Sequence, residues 1–127
     1  MKTILIVDDS QTMRRMVKIS LQVFKDTVEL KEASNGLEAL ECLALGKVDL
    51  VILDLNMPDM HGKEVLEFVR KHLFSFDIPI IVLTTRGDEE CRRKILEAGA
   101  SSYLTKPCPP EVLGSAVQKL LDLPNPG

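Results

Sequence analysis

Four apolar stretches of this chain end in polar side chains that could take part in chemistry: Asp8-Asp9, Asp54, Thr84 and Lys106. The stretch before Asp54 is short, rich in branched residues and not alternating, which is typical of a strand buried on both faces. A carboxylate at the end of such a strand contributes little to packing. We therefore interpret Asp54 as a nucleophile that accepts a phosphoryl group.

Three of these side chains could hold a metal ion. Asp8, Asp9 and Asp54 would repel one another and raise each other's pKa unless a cation lay between them. Mg²⁺ suits such a site because it prefers oxygen ligands and needs only one or two carboxylates plus phosphate oxygens. We predict a magnesium site at these residues, with the main-chain carbonyl of Asn56 as a further ligand. The competing interpretation is that Asp8-Asp9 caps the next helix, although capping needs only one of the pair.

Lys106 and Thr84 could assist the same reaction. Phosphoryl transfer depends mainly on positioning and charge neutralisation, which the Lys106 ammonium would provide from the side opposite the metal. The Thr84 hydroxyl would donate a hydrogen bond to a phosphoryl oxygen. Thr85 is adjacent and could take that role, but we favour Thr84 because it directly follows the apolar run.

These residues can meet only if the strands before them lie side by side. Apolar runs predict strands at 3–7, 28–33, 49–53, 78–83 and 101–104. Helical spacing of apolar residues predicts helices at 13–24, 37–44, 65–73, 88–98 and 110–121. Five strands alternating with five helices favour an α/β fold with a parallel sheet covered on both faces. Ligands of such sheets bind outside the carboxyl ends of the strands, where the four polar ends would converge.

The totals of the chain exclude several classes of protein. A length of 127 residues fits one domain, which we predict over 1–122, followed by a short Pro-rich tail at 123–127. A net charge of −3 gives no basic footprint for direct nucleic-acid binding. The first apolar run is too short for a signal peptide or membrane span, so we expect a cytoplasmic protein. Cys42, Cys91 and Cys108 have no metal-like spacing and are expected to be free thiols.

Charged residues elsewhere have simpler interpretations. Arg14, Arg15 and Lys18 lie mostly off the apolar stripe of the first helix, so we interpret them as a solvated face. His61 and His72 do not fit a phosphotransfer role, because neither follows a strand with a base beside it.

Five short segments together carry a family resemblance. They are ILIVDDS at 4–10, NG and EAL within 35–40, LDLNMPDMHG at 53–62, LTT at 83–85 and SSYLTKP at 101–107. In this order and spacing, over about residues 2–121, the chain resembles the receiver domain of two-component response regulators. Its length is similar to that of single-domain, chemotaxis-type receivers. The resemblance implies a flavodoxin-like, doubly wound five-stranded parallel sheet in the order 2-1-3-4-5 with five helices.

The resemblance also implies how the site is used. Asp54 would take a phosphoryl group from a sensor histidine kinase, a phosphotransfer protein or acetyl phosphate. Asp8 and Asp9 would hold Mg²⁺ with Asp54 and the Asn56 carbonyl, and Lys106 would pair with the phosphoryl group. The chain would be a signalling switch rather than an enzyme, although it would assist its own phosphorylation and dephosphorylation.

The switch would connect the site to a protein-binding surface. Thr84 and Tyr103 are implied as the switch pair, and a cis bond is expected between Lys106 and Pro107. The fourth helix, fifth strand and fifth helix would bind a downstream protein, and the chain would be a monomer or a phosphorylation-dependent dimer. Arg86 departs from the family pattern and could alter the lifetime of the phosphorylated state. The cations at 92–94 hint at an acidic partner, although solvation explains them more simply.

Three alternatives remain open from the sequence. An aspartyl phosphatase would need a second carboxylate two residues after the nucleophile, where this chain has Asn56. A flavin-binding protein of the same topology would need a Ser/Thr/Gly-rich phosphate loop where this chain has Asp8-Asp9. A degenerate receiver that only binds proteins would not need the intact acidic set.

Overall fold

Strands and helices alternate along the chain in the computed structural model, which describes residues 1–72 and 77–125. The strands are β1 (Lys2–Val7), β2 (Val28–Ala33), β3 (Leu50–Leu53), β4 (Ile80–Thr84) and β5 (Ser102–Thr105). The helices are α1 (Gln11–Ser20), α2 (Gly36–Ala44), α3 (Gly62–His72), α4 (Glu89–Glu97) and α5 (Pro110–Leu121), with a 3-10 turn at Gln22–Phe24.

The five strands form one parallel sheet in the order β2-β1-β3-β4-β5, as predicted. β2 lies at one edge, and this position explains why its apolar and charged residues alternate, while β3 is apolar throughout and β4 is apolar up to its last residue, Thr84. The register pairs Val7 with Leu53, so the residues that follow, Asp8 and Asp54, leave the sheet side by side. The fold therefore brings residues 46 positions apart to the same end of two adjacent strands.

Each face of the sheet carries its own apolar core, because successive residues of a strand point to opposite faces. One core joins the sheet to α2, α3 and α4 and includes Leu5, Val7, Val51, Leu53, Ala39, Leu43, Val65, Leu66, Val69 and Ile95. The other joins it to α1 and α5 and includes Ile4, Ile6, Leu50, Ile52, Val17, Leu21, Leu113 and Val117. Burying each large aliphatic side chain contributes about 1.5–3 kcal/mol, so the strand ends are held by a rigid support.

The helix termini show which residues act as caps. The Ser10 hydroxyl accepts a hydrogen bond from the N–H of Met13 at 3.2 Å and so caps α1. Asn35 caps α2 through the N–H of Glu38 at 2.8 Å. Because Ser10 caps α1, the interpretation of Asp8-Asp9 as the cap is not needed.

Several predicted boundaries differ from the structure. The first helix ends at Ser20 rather than 24, where the chain tightens into the 3-10 turn, and Met16 on its predicted apolar stripe is exposed. The fourth strand begins at Ile80, so Pro79 precedes it and no ladder hydrogen bond is lost. The predicted end of the third helix, Leu73, and the last two residues of the predicted tail lie outside the described residues.

Two expectations about the chain as a whole can be compared with the described residues. Cys42, Cys91 and Cys108 are free thiols, as predicted, and each is half-buried. Within residues 1–72 and 77–125, the helices are too short or too polar to span a lipid bilayer.

Candidate functional site

The three carboxylates among the four predicted metal ligands meet at the carboxyl edge of the sheet. Asp8 and Asp9 follow β1 and Asp54 follows β3, and one carboxylate oxygen from each lies within 4.8 Å of the other two. Asp8 and Asp54 are buried, with 5% and 6% of their surface exposed, whereas Asp9 is exposed. The sequence prediction that these carboxylates converge is confirmed.

Lys106 reaches the same cluster from the far side of β4. Its Nζ lies 2.8 Å from Asp8 Oδ2 and 3.4 Å from Asp54 Oδ1. The main chain of Lys106 is fixed by a 2.8 Å hydrogen bond from its N–H to the carbonyl of Thr84, and its bond to Pro107 is cis, as expected. One ammonium thus serves two buried carboxylates.

The electrostatics of the cluster favour an additional cation. Burial raises the pKa of Asp54, and the nearby Asp8 carboxylate raises it further, while Lys106 and the N–H of Asn56 act in the opposite direction. With three ionised carboxylates and one ammonium, the cluster carries two unbalanced negative charges. A dication with a preference for oxygen ligands fits this donor set, as predicted for Mg²⁺.

Asp8 is fixed by partners that the sequence did not reveal. Its Oδ1 accepts a hydrogen bond from the N–H of Ser10 at 2.9 Å, and its carbonyl accepts one from Arg14 at 2.6 Å. The Arg14 guanidinium also forms a 2.9 Å ion pair with Glu32 of β2. The interpretation of Arg14 as purely solvated was therefore wrong, because its side chain ties α1, β1 and β2 together next to the site. Lys18 also pairs with Glu32, at 3.2 Å.

Thr84 and Thr85 differ sharply in their environment. Thr84 is the last residue of β4 and is fully buried, whereas Thr85 is exposed. The Thr84 hydroxyl oxygen accepts a hydrogen bond from the N–H of Arg86 at 3.3 Å. Because the hydroxyl retains its own proton for donation, Thr84 can serve an additional acceptor without losing this contact.

Tyr103, the other member of the predicted switch pair, is half-buried in β5. Its hydroxyl donates a hydrogen bond to the carbonyl of Arg86 and lies 3.2 Å from Cys91 Sγ in α4. Arg86 thus contacts Thr84 through its N–H and Tyr103 through its carbonyl. The guanidinium of Arg86 forms a 3.2 Å ion pair with Asp88, the N-cap of α4.

The loop after Asp54 depends on a glycine whose role the sequence analysis missed. Gly62 donates its N–H to the carbonyl of Leu55 at 2.8 Å. A Cβ atom at position 62 would lie 2.4 Å from the Asp54 carbonyl oxygen and 2.8 Å from the Leu55 Cα. Only glycine permits this approach of two backbone segments, so Gly62 fixes where the Asp54 main chain lies. Asn56, the other predicted ligand in this loop, is exposed.

The same loop is attached to α2 by a second residue that was missed. The Asp59 carboxylate accepts hydrogen bonds from the N–H groups of Gly36 and Leu37, at 3.0 and 3.1 Å. These are otherwise unpaired donors of the first turn of α2, and they lower the pKa of Asp59. The sequence shows Asp59 directly after Pro58, but it does not show that Asp59 contacts Gly36, 23 residues away.

Two other predicted features have structural explanations. His61 Nδ1 accepts a hydrogen bond from the N–H of Lys63 at 3.1 Å, which supports the start of α3 rather than proton transfer. The cations at 92–94 of α4 pair with glutamates of the same helix at 3.1–3.4 Å. Such exposed pairs contribute little to stability, and they favour solvation over an acidic partner.

The fold and site together define a doubly wound α/β domain with an acidic ligand site at the carboxyl edge of its sheet. Comparison with known families is more specific. The model of the response regulator receiver domain matches residues 4–118, and the chain belongs to this family.

Individual relatives agree with this assignment. The chain is 36% identical to the phosphate regulon transcriptional regulatory protein PhoB of Pseudomonas aeruginosa, over 99% of this chain and 54% of PhoB. It is 39% identical to the transcriptional regulatory protein SrrA of Staphylococcus aureus, over 93% of this chain and 47% of SrrA. The chain thus spans about half the length of these curated relatives.

A solved structure of similar length gives the same result. The chemotaxis protein CheY4 of Vibrio cholerae is 36% identical and superposes with a TM-score of 0.84, covering 94% of this chain and 98% of CheY4. The flavodoxin-like fold and the receiver family are therefore confirmed.

Proposed function

We propose that this receiver domain is a magnesium-dependent phosphoryl acceptor at Asp54 and that phosphorylation switches a protein-binding surface. The observation that supports this most strongly is the geometry around Asp54: a buried carboxylate lies between an acidic pair and a buried ammonium. A purely structural site would gain nothing from three carboxylates that share one cation.

The reaction assigned to Asp54 is nucleophilic attack on phosphorus. A carboxylate oxygen of Asp54 forms the new bond to phosphorus while the donor's leaving group takes the electrons of the bond that breaks, and an acyl phosphate results. The Lys106 ammonium, 3.4 Å from Asp54 Oδ1, is placed to pair with the transferred group once it departs from Asp8. The Thr84 hydroxyl provides a hydrogen bond to a phosphoryl oxygen.

The residues that would hold Mg²⁺ are Asp8, Asp9 and Asp54, with the Asn56 carbonyl as the predicted further ligand. When bound, the ion would neutralise charge that develops on the phosphoryl oxygens. Asp8 is held in place independently of the ion by Ser10, Lys106 and Arg14, so its carboxylate is positioned before a ligand arrives.

Signal output would follow from the charge added at Asp54. A phosphoryl group adds nearly two negative charges, which favours whichever arrangement lets Thr84 and Lys106 contact it. The Arg86 backbone joins Thr84 to Tyr103, so the β4–α4 loop is the route to the surface formed by α4, β5 and α5. A downstream protein would bind that surface.

The wider context is proposed on the same basis. Receiver domains exchange phosphoryl groups with histidine kinases or phosphotransfer proteins, and we propose such a donor here, with acetyl phosphate as a small substitute. We propose a cytoplasmic switch, either monomeric or dimerising on phosphorylation, that assists its own phosphorylation and dephosphorylation without turning over a separate substrate. The Arg86 guanidinium pairs with Asp88, so an effect of Arg86 on hydrolysis would require that pair to open.

Incubation with acetyl phosphate and Mg²⁺, followed by intact mass measurement, tests the proposal. We expect one added phosphoryl group in the parent protein and none in Asp54→Asn or in the presence of a chelator. Modification that persists in Asp54→Asn would refute the assignment of the site. Turnover of many equivalents of a phosphoester would refute the switch and support an aspartyl phosphatase instead.

A further inference from the structure

The Tyr103 hydroxyl is held from two sides by residues of the β4–α4 segment. Its oxygen contacts the carbonyl of Arg86 and lies 3.2 Å from Cys91 Sγ in the first turn of α4. The ring itself is half-buried against the core between the sheet and α4. A tyrosine with its hydroxyl in contact with two groups is restrained in rotation as well as in position.

The protons available at these groups determine the direction of each hydrogen bond. A carbonyl can only accept, so the single proton of the Tyr103 hydroxyl is donated to Arg86. The same hydroxyl also donates to Cys91 Sγ at 3.2 Å, because a thiol sulfur is a weak acceptor. Tyr103 therefore shares its proton between the Arg86 carbonyl and the Cys91 sulfur.

The two partners of Tyr103 belong to one connected unit. The Asp88 carboxylate accepts a hydrogen bond from the N–H of Cys91 at 3.1 Å and pairs with the Arg86 guanidinium at 3.2 Å. The N–H of Arg86 donates to the Thr84 hydroxyl oxygen at 3.3 Å. A movement of Thr84 therefore reaches Tyr103 through Arg86, while Cys91 is held in place by the cap of α4.

We propose that Cys91 is a positioning residue whose thiol holds the Tyr103 ring against the β4–α4 loop. The ring is called held when its hydroxyl contacts Arg86 and Cys91, and released when it has turned away from them. Cys91 thereby sets the ratio of released to held ring. This inference rests on the proposed function, in which Thr84 and Tyr103 form the switch pair. A thiol sulfur is a weak acceptor, so it biases the ring without locking it. Burial raises the pKa of Tyr103 well above its ordinary value, and the contact with Cys91 adds to this rise, so the hydroxyl keeps its proton at neutral pH.

The composition of the chain offers a specific probe. Tyr103 is the single tyrosine and tryptophan is absent, so 3-fluorotyrosine labelling gives ¹⁹F NMR signals from this ring alone. Three variants are compared without phosphorylation: Cys91→Ala removes the acceptor, Cys91→Ser retains one, and Cys42→Ala removes a half-buried thiol from α2 as a matched control. A melting curve by circular dichroism confirms that each variant is folded.

We expect Cys91→Ala to raise the ratio of released to held ring between about twofold and tenfold, the change that one net hydrogen bond produces. Cys91→Ser and Cys42→Ala should remain close to the parent. A Cys91→Ala spectrum identical to that of the parent would overturn the inference. A Cys91→Ser spectrum that matches Cys91→Ala would also overturn it, because the contact would then be packing rather than a hydrogen bond.

The two proposals fail in different measurements. If the parent protein takes no phosphoryl group from acetyl phosphate, the proposed function fails, whatever the fluorine spectra show. If phosphorylation occurs but the unphosphorylated Cys91 variants are indistinguishable from the parent, only the role of Cys91 fails. In the parent, phosphorylation should move the fluorine signal. In Cys91→Ala the change in the signal on phosphorylation should differ from that of the parent, because more of the ring is already released before phosphorylation.

Discussion

Replacing Gly62 by alanine is the sharpest test of how the loop positions Asp54. The added Cβ would lie 2.4 Å from the Asp54 carbonyl oxygen and 2.8 Å from the Leu55 Cα, whereas ordinary contact begins at 3.4 Å. Both neighbours are backbone atoms, which cannot rotate away as a side chain could. The Asp54 main chain must therefore move by about 1 Å, a strain comparable with overpacking of a core, which costs about 1–3 kcal/mol.

The same displacement should affect the chemistry more than the fold. A misplacement of about 1 Å at a reacting group can lower a rate about 100-fold. A domain of this kind has a free energy of unfolding of about 5–15 kcal/mol, so Gly62→Ala should still fold. We expect a loss of about 2 kcal/mol in the free energy of unfolding, together with a loss of about 100-fold in the rate of phosphorylation by acetyl phosphate.

Gly114→Ala is a matched control with the opposite expected sign. Position 114 lies inside α5, and an added Cβ there would be 3.7 Å from the Phe24 ring, an ordinary contact. Alanine in a helix interior is favoured over glycine by about 0.5–1 kcal/mol, so this variant should be more stable than the parent. Urea unfolding followed by circular dichroism measures the stabilities, and intact mass over time measures phosphorylation.

A Gly62→Ala protein that is as stable as Gly114→Ala and is phosphorylated at the parent rate would contradict this prediction. Equal stability with a slowed rate would show that the loop adapts but Asp54 moves. Lost stability with an unchanged rate would show that the loop yields on the side away from Asp54.

Three further predictions concern the charged cluster and its surroundings. In metal-free buffer, Lys106→Ala should lower the free energy of unfolding by about 3 kcal/mol, because it leaves two buried carboxylates without their cation. Urea titration measures this loss and should also show that Mg²⁺ recovers part of it. An unchanged urea midpoint in Lys106→Ala would contradict the prediction. Asp54→Asn should stabilise the metal-free protein at about pH 7 and progressively less towards about pH 4. Burial raises the pKa of Asp54 in the folded state. The favourable contribution of Asp54 to stability is therefore present below its unfolded-state pKa of about 3.9 and is lost as the pH rises through its folded-state pKa. Urea midpoints at the two pH values check this, and a gain that does not vary with pH would count against it. Asp8→Asn should abolish the Mg²⁺ dependence of phosphorylation, which is measured by intact mass over a range of metal concentrations. A variant whose phosphorylation depends on Mg²⁺ as strongly as that of the parent would remove Asp8 from the ligand set.

The sequence predicted the buried strands and the meeting of the site residues because each follows from a single physical rule. Unbroken apolar runs mark β3 and β4 as buried strands, and parallel strands with helical crossovers must place their carboxyl ends together. This is why the meeting of Asp8, Asp54 and Lys106 could be predicted without knowing a single distance. The edge position of β2 followed from its alternating pattern for the same reason.

Contacts between distant segments could not be predicted in this way. Arg14 looked like part of a solvated helix face because its partner, Glu32, lies on another element 18 residues away. Gly62 is distinctive only when the Asp54 carbonyl is known to lie against it. The end of the first helix was misplaced because apolar spacing does not distinguish an α-helix from the 3-10 turn that follows Ser20.

Chemical localisation of the phosphoryl group shows directly whether Asp54 is the acceptor. Borohydride reduces an aspartyl phosphate to homoserine, so treatment of the phosphorylated protein followed by peptide mass mapping identifies the residue that carried the group. We expect homoserine at position 54 alone, and only when Mg²⁺ was present during phosphorylation. Homoserine at position 8 or 9, or a phosphorylated protein in which position 54 remains aspartate, would contradict it.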